Sequence, residues 1–200
     1  NCLAVRLLLD ARDKARSITC INNLKQTGTA ALLWVEDNND SHLPLAITDA
    51  EGTQHFWHSG KKGTEQRAEW GLLFKYLGGK EIHDCGTAKA VKNANPQIPF
   101  WPAYGLHEPI YTDSNGNARY AKMTMVRNPA ETVWLADSGT INRTTGGLIR
   151  VAGLAPPSEK TPYVHGRHSG RCNIVWMDGH VSGRAPVYRT DLSGIVSEAN

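Results

Sequence analysis

The sequence predicts an α+β fold in which a long N-terminal helix packs on a C-terminal antiparallel β-sheet, with an irregular region between them. Residues 1–36 carry an uninterrupted helical repeat of apolar positions, and residues 131–200 contain short β-rich runs separated by Gly, Asn and Asp. Residues 37–130 are rich in Gly, Pro and scattered Trp, which is typical of irregular structure. A chain of 200 residues corresponds to a single domain.

The predicted helix is defined by small and apolar residues that recur every three or four positions and form one stripe. The stripe comprises Leu8, Ala11, Ala15, Ile18, Ile21, Leu24, Gly28, Ala31 and Val35. The Asn, Asp and Pro residues of "EDNNDSHLP" end the helix. A helix of over 30 residues exceeds the usual globular length, so we expect one end to continue outside the domain.

Three segments of the middle region have local signals. "AEWGLLFKYLGG" predicts a short helix with Gly78 or Gly79 as its C-cap. The prolines of "NPQIPFWPAYGL" argue against any regular element, and "TDSNGNARY" indicates a tight turn.

The last third predicts strands within 131–137, 147–153, 171–177 and 180–187. Asp178 and Gly179 separate the last two, and this pair is a strong hairpin signal because Gly accepts a positive φ.

Charge and cysteine content limit the classes of function. The net charge of +3 lies entirely within residues 1–30 and is too small to indicate a nucleic-acid partner. No run of about 18 apolar residues is present, so the sequence predicts no membrane span. Four cysteines allow three complete pairings, and none forms the C-x2-C pair of a structural zinc site.

The sequence around "HSGRCNIVWMDGH" offers candidates for metal or acid–base chemistry. His165, His168, Asp178 and His180 are metal-ligand types. Asp178 and His180 flank a turn glycine, however, and this placement suits a structural turn. We therefore predict that Asp178 caps the turn, that His168 ties the preceding loop to it, and that the protein is not an enzyme. The sequence has no G-x-S-x-G elbow, and neither Cys20 nor Cys172 lies in an activating context.

Two further groups of residues suggest ligand binding. Asp113, Asn115 and Asn117 alternate as in a calcium loop, but no Glu follows at the twelfth position, and an Asn/Gly-rich turn is the commoner explanation. Trp57 and Trp101 lie in predicted loops and could stack on a sugar or a partner. The alternative is that these aromatic rings pin the loops onto the sheet.

Three segments together resemble the prepilin-like proteins, in particular the G-type pseudopilins of type II secretion. "ARSITCINNLKQ" is similar to the helix that follows the membrane anchor of that group, and "NPAETVWLADS" to one of its strands. "RHSGRCNIVWMDGHV" is similar to its C-terminal signature, a His, nine residues and Asp-Gly, here His168, Asp178 and Gly179.

This resemblance implies a pilin-like fold and a bacterial, non-enzymatic role without a cofactor. It implies a protein of the cell envelope, anchored in the inner membrane by a removed N-terminal segment, with the globular domain periplasmic or at the cell surface. The expected partners are other pilin-like subunits or the secretion machinery, in a type II secretion or type IV pilus-like system. A carbohydrate-binding or adhesive module on this scaffold and a metal-dependent hydrolase are the alternatives.

The resemblance also implies a disulfide. A further segment, "KYLGGKEIHDCGTA", resembles one of that group in which Pro usually follows the Cys, where Gly86 stands here. Cys20 and Cys85 match cysteines of the resembling segments, whereas Cys2 lies in the altered start and Cys172 within a predicted strand. An envelope location permits oxidation. We therefore expect a Cys20–Cys85 bridge that ties the helix to the middle region.

Overall fold

A computed structural model describes the protein at residues 2–88, 91–93, 101–108, 110–112, 118–142, 144–154, 163–189 and 196–199. It confirms the α+β class: one long helix, α1 (Cys2–Asp37), packs against antiparallel and mixed β-sheets. In the described part of the chain, no helix has an apolar stretch long and continuous enough to cross a membrane. The strands are numbered in chain order as β1 (Ala46–Thr48), β2 (Gln54–Phe56), β3 (Gly60–Lys62), β4 (Glu65–Arg67), β5 (Lys92–Asn93), β6 (Tyr104–His107), β7 (Ile110–Thr112), β8 (Ala118–Tyr120), β9 (Val133–Asp137), β10 (Thr140–Ile141), β11 (Leu148–Arg150), β12 (Gly153–Leu154), β13 (Cys172–Trp176), β14 (Val181–Arg184), β15 (Pro186–Arg189) and β16 (Val196–Ala199).

The central sheet has the strand order β12-β6-β9-β13-β14. Its pairings are antiparallel except for β12 with β6, which is parallel. All five residues of β13 are buried: α1 covers one face of the sheet, and Cys172, Ile174 and Trp176 belong to a second apolar cluster with Ala136. Strands lie within all four segments of the last third that the sequence predicts as strands, and β13 and β14 form the predicted hairpin.

The C-terminal half of α1 docks on this sheet, and the N-terminal half does not. Buried side chains recur at helical spacing from Cys20 through Leu24, Ala31 and Val35. The predicted stripe is therefore correct from position 21 onward. In the first half Leu8 and Ile18 are exposed, because they lie on the side of the helix that faces away from the sheet. The helix ends where Asn38 Nδ2 donates to the Trp34 carbonyl and the backbone turns left-handed at Asn39 and Asp40.

The middle region is more regular than predicted. β1 to β4 form an antiparallel meander. The end of the proline-rich segment, Tyr-Gly-Leu, belongs to β6 of the central sheet, although the prolines argued against any regular element there. The strands β2 to β4 are three residues long and largely polar, so they show no alternation in the sequence. Left-handed glycines, Gly52 and Gly63, make the turns that join them.

The segment predicted as a short helix forms two 3-10 turns, Ala68–Trp70 and Lys75–Leu77. Gly71 separates them with an extended backbone conformation, which is why one continuous helix does not form. Gly78 is the left-handed C-cap of the second turn, as predicted. The remaining strands form the sheet β10-β11-β5 and the pairs β7-β8 and β15-β16.

Candidate functional site

Four metal-ligand side chains from four distant parts of the chain meet in the interior. They are Cys20 on α1, Cys85 in the loop after Ile82, Asp137 at the end of β9 and His168 in the loop before β13. Their ligand atoms all lie within 4.8 Å of one another, and all four residues are buried. We call this group the Cys2-Asp-His cluster.

The local backbone explains why Asp137 and His168 point inward. Asp137 is the last residue of β9, and the amide of Asn173 on β13 donates to its Oδ2 at 2.7 Å. His168 and Arg171 exchange two backbone hydrogen bonds of 3.0 Å around a tight turn. Ser169 and Gly170 take positive φ angles within that turn, which leaves the His168 ring on the inner side.

An arginine on β11 holds the loop that carries Cys85. Arg150 donates to the Asp84 carboxylate at 2.5 Å and to the Ala88 carbonyl at 2.7 Å, on either side of Cys85. Asn23 of α1 donates to the Asp84 carbonyl at 3.1 Å, so the loop is also fixed to the helix that carries Cys20. The two thiols are thereby brought together across the helix–loop interface.

Short distances link the four side chains. The Cys20 thiol donates to Asp137 Oδ1 at 3.2 Å, and Cys85 Sγ lies 3.5 Å from His168 Nε2. The same Nε2 atom lies 3.5 Å from Asp137 Oδ2. The Tyr104 hydroxyl, 3.3 Å from Cys20 Sγ, completes the surroundings of that sulfur.

Burial and mutual contact shift the pKa values of the cluster. The side-chain contact with Cys20 lowers the pKa of Cys85, and the same contact, with burial, raises the pKa of Cys20. Burial raises the pKa of Asp137 to about 6, against the attraction of Arg167. Burial alone would lower the pKa of His168, but the hydrogen bond with Cys85 and the charge of Asp137 outweigh it and raise that pKa.

The geometry disfavours a cysteine-nucleophile triad. In such a triad the carboxylate orients the imidazole through one ring nitrogen while the other nitrogen faces the thiol. Here Cys85 and Asp137 both lie 3.5 Å from the same nitrogen, Nε2 of His168. The Cys85 thiol is also fully buried, so it offers no surface to a substrate. The convergence of donors on one point suits a bound cation or a covalent link between the sulfurs.

The residues of the predicted His…Asp-Gly motif separate in the structure. His168 belongs to the buried cluster. Asp178 is exposed at the β13-β14 turn, where its Oδ1 accepts from the His180 backbone amide at 3.0 Å and lies 2.7 Å from His180 Nδ1. Asp178 thus caps the turn as predicted, but His168 does not tie the preceding loop to it, because the His168 ring contacts Cys85 and Asp137 instead.

The other histidines considered as ligands lie outside the Cys2-Asp-His cluster. His180 is exposed and stacks on Trp176. His165 lies near Gly139, and burial lowers its pKa to about 4. Of the four residues considered as metal ligands and set aside in favour of a structural turn, only His168 belongs to the Cys2-Asp-His cluster, since proximity in the chain does not place them at one point.

The two tryptophans considered for ligand binding occupy different environments. Trp57 is fully buried, and its indole N–H donates to the Ala152 carbonyl at 3.0 Å. Stacking of Trp57 on an external sugar is thus ruled out by its burial, and the alternative of a pinned loop is correct for this residue. Trp101 is half-buried and lines an apolar cavity of about 170 Å³ together with Trp57. The calcium candidates Asp113, Asn115 and Asn117 lie outside the described residues.

Cys20 and Cys85 face each other as the resemblance implies, with their sulfurs within 4.8 Å and both thiols free. The bridge between them stays a prediction.

Sequence reasoning missed Asp137 and Arg167 altogether. The sequence did hold one signal for Asp137: an acidic residue directly follows the apolar run "TVWLA". A carboxylate at the end of such a strand can be buried as well as exposed.

No protein-family model, no curated protein and no solved structure matches this chain.

Proposed function

We propose that this protein is a non-enzymatic, pilin-like envelope subunit that self-assembles through the N-terminal half of α1. The observation that carries the proposal is an apolar seam on that half, formed by Leu8, Ala11, Ala15 and Ile18. All four residues are exposed, with Leu8 at 67% and Ile18 at 59%. An amphipathic helix normally turns such a stripe toward a packing partner.

The seam points away from the rest of the protein. Asp13 and Ser17 are the half-buried positions of this half-helix, and Ser169 Oγ donates to Asp13 at 3.3 Å, which marks the side nearest the sheet. At 100° per residue, Ala11 and Ala15 lie about 160° around the helix from Asp13. The apolar stripe therefore has no contact surface among the residues that the structure describes.

The seam suits the same seam on a second copy. Its spacing of three and four residues is that of helix–helix packing, and the two small residues at its centre allow close approach of two helix axes. Leu8 and Ile18 at either end supply the apolar area. This surface supports the assembly role that the resemblance to pseudopilins implies, and the partner we propose is a further copy of this chain.

Sedimentation over a range of concentrations tests the proposal. We expect the wild-type chain to self-associate and the Leu8→Ser/Ile18→Ser variant to associate at least 10-fold more weakly, since each lost contact removes on the order of 1–2 kcal/mol. Leu33→Ser is the matched control, an exposed leucine on the docked half of the same helix. A wild-type chain that stays monomeric, or a double variant that associates as tightly as wild type, would overturn the proposal.

Cross-linking locates the contact. In a Cys2→Ser background, Ala11→Cys places a thiol in the seam and Arg16→Cys places one on a flank of the helix. We expect oxidation to give covalent dimers with Ala11→Cys in preference to Arg16→Cys. Equal dimer yields from the two positions would contradict a seam-to-seam contact.

A further inference from the structure

We propose that the Cys2-Asp-His cluster is a structural zinc site, with Cys20, Cys85, Asp137 and His168 as its four ligands. The inference is independent of the proposed assembly, because the cluster lies in the folded body of the protein and not on the exposed seam. Two thiolates, an imidazole and a carboxylate are all established zinc donors.

The spacing of the donors matches a tetrahedral site. Zinc–ligand bonds of about 2.0–2.3 Å place neighbouring ligand atoms roughly 3.3–3.8 Å apart in a tetrahedron. Two edges of the cluster, Cys20 Sγ–Asp137 Oδ1 and Cys85 Sγ–His168 Nε2, measure 3.2 and 3.5 Å, and His168 Nε2 lies 3.5 Å from the second Asp137 oxygen, Oδ2. The remaining edges are no longer than 4.8 Å, so shifts of about an ångström or less would close the shell.

The charge of a loaded site is balanced by Arg167. Two thiolates and one carboxylate around Zn²⁺ leave one negative charge. The Arg167 guanidinium is 4% exposed and its Nε lies 3.8 Å from Asp137 Oδ1, where it neutralises that charge. Within the described part of the chain, Nε and Nη1 of Arg167 are buried and have no hydrogen-bond acceptor. Of these two donors, Nε lies on the side of Asp137 Oδ1, the carboxylate oxygen that would bind zinc.

Neighbouring groups already orient the ligands. The Asn173 amide holds Asp137 Oδ2, which leaves Oδ1 for the metal. The Tyr104 hydroxyl lies 3.3 Å from Cys20 Sγ, where it can donate to a thiolate. Such outer contacts fix ligand geometry in known zinc sites. Once loaded, the metal would join α1 to the Cys85 loop, β9 and the loop before β13.

The zinc site and the expected Cys20–Cys85 disulfide use the same sulfurs and exclude each other. A disulfide requires only two sulfurs at about 2.05 Å. It would not explain why Asp137 and His168 also lie next to those sulfurs. The four-donor arrangement therefore favours the metal.

The test begins with the full wild-type chain, kept reduced, saturated with zinc and then dialysed. We expect about one zinc per chain by elemental analysis and a rise in melting temperature that a chelator reverses. Cobalt in place of zinc should give thiolate-to-metal charge-transfer bands and the intense visible bands of a tetrahedral centre. Substoichiometric zinc without a melting shift would overturn the site. So would a Cys20–Cys85 disulfide that persists under reductant and zinc.

Variants separate the ligands from their neighbours. Cys85→Ser and Asp137→Asn should weaken zinc binding at least 10-fold, whereas Cys172→Ser and His165→Gln should bind zinc like wild type. Cys172 is a buried thiol on β13 that donates to the Arg184 carbonyl, so it controls for loss of a buried sulfur. Undiminished binding in both ligand variants would overturn the assignment. Where a ligand variant does not fold, the cobalt spectrum of the wild-type chain decides.

Discussion

Gly28 of α1 lies so close to Val175 of β13 that a β-carbon at position 28 would stand 2.7 Å from Val175 Cγ1. Val175 is fully buried and its β-branched side chain has little rotamer freedom, so it cannot move aside cheaply. The helix sits at this height above the sheet because residue 28 has no side chain.

Gly28→Ala should therefore destabilise the protein, although alanine favours helix formation. We expect a net loss of roughly 1–3 kcal/mol, the usual range for overpacking a core. Urea unfolding measures the loss. Val175→Ala should relieve the clash, so a double-mutant cycle is expected to show favourable coupling. Gly86→Ala is the control, since a β-carbon there meets nothing within 4 Å. Equal effects at 28 and 86 would refute the close contact.

Gly179 has both a positive φ and too little space for a side chain, and substitutions can separate these two effects. Its φ is +88°, and a β-carbon would lie 2.7 Å from Leu32 Cδ1 of the helix. Gly170 has a similar φ of +79° but open space around it. Gly170→Ala should thus report backbone strain alone, of order 1 kcal/mol, and Gly179→Ala should cost more in thermal or urea unfolding. Equal losses would mean that Leu32 moves aside freely.

His42 should make the protein acid-sensitive. Burial lowers its pKa from 6.5 to about 4, and its ring lies against Trp134. Between these pH values the unfolded chain binds a proton that the folded state does not, so stability is full near neutral pH and falls as the pH drops from about 6.5 to 4. The difference corresponds to roughly 3 kcal/mol.

The matched test is His42→Phe, which removes the titrating group but keeps a ring beside Trp134. We expect the loss of unfolding free energy between pH 6.5 and 4 to be smaller in this variant than in wild type. His83→Phe, at an exposed position, should retain the wild-type slope. An unchanged slope in His42→Phe would show that His42 is not responsible.

Arg150 should be a major stabiliser of the middle region. Its guanidinium, on a side chain that is 11% exposed, donates to the Asp84 carboxylate and to the carbonyls of Val91, Ala88 and Trp101. Arg150→Met leaves these acceptors unpaired, and we expect a loss of roughly 2–4 kcal/mol in urea unfolding. Arg127→Met, at an exposed arginine, should change stability by less than about 0.5 kcal/mol. Similar losses in the two variants would contradict the role of Arg150.

The elements that the sequence predicts correctly are those whose signal is local. The helix, the β13-β14 hairpin and the capping role of Asp178 depend on neighbours within a few positions, which a periodic pattern or a turn pair reports directly. The meander β1 to β4 escaped prediction because its strands are too short and polar to alternate. Periodicity identifies the apolar positions of the helix but not what covers them, and the sheet covers only those of the second half.

The candidate site depends on contacts that no local pattern encodes. Cys20, Cys85, Asp137 and His168 come from a helix, two loops and a strand end, and only the tertiary fold brings them together. His168 drew attention through its neighbours in sequence, but its actual partners are distant. Asp137 is the last residue of the predicted strand 131–137, and the sequence pattern does not show that it is fully buried.

The docking of α1 on β13 also sets the order of events during synthesis. The helix leaves the ribosome well before its partner strand, because β13 begins 135 residues after α1 ends. At 5–20 residues per second, the apolar side around Leu24 and Ala31 stays uncovered for roughly 7–30 s before β13 emerges. We expect nascent chains stalled before residue 170 to be protease-sensitive and bound by chaperones, and chains extended past β14 to become resistant. Protection of the shorter chains would show that the helix finds another cover first.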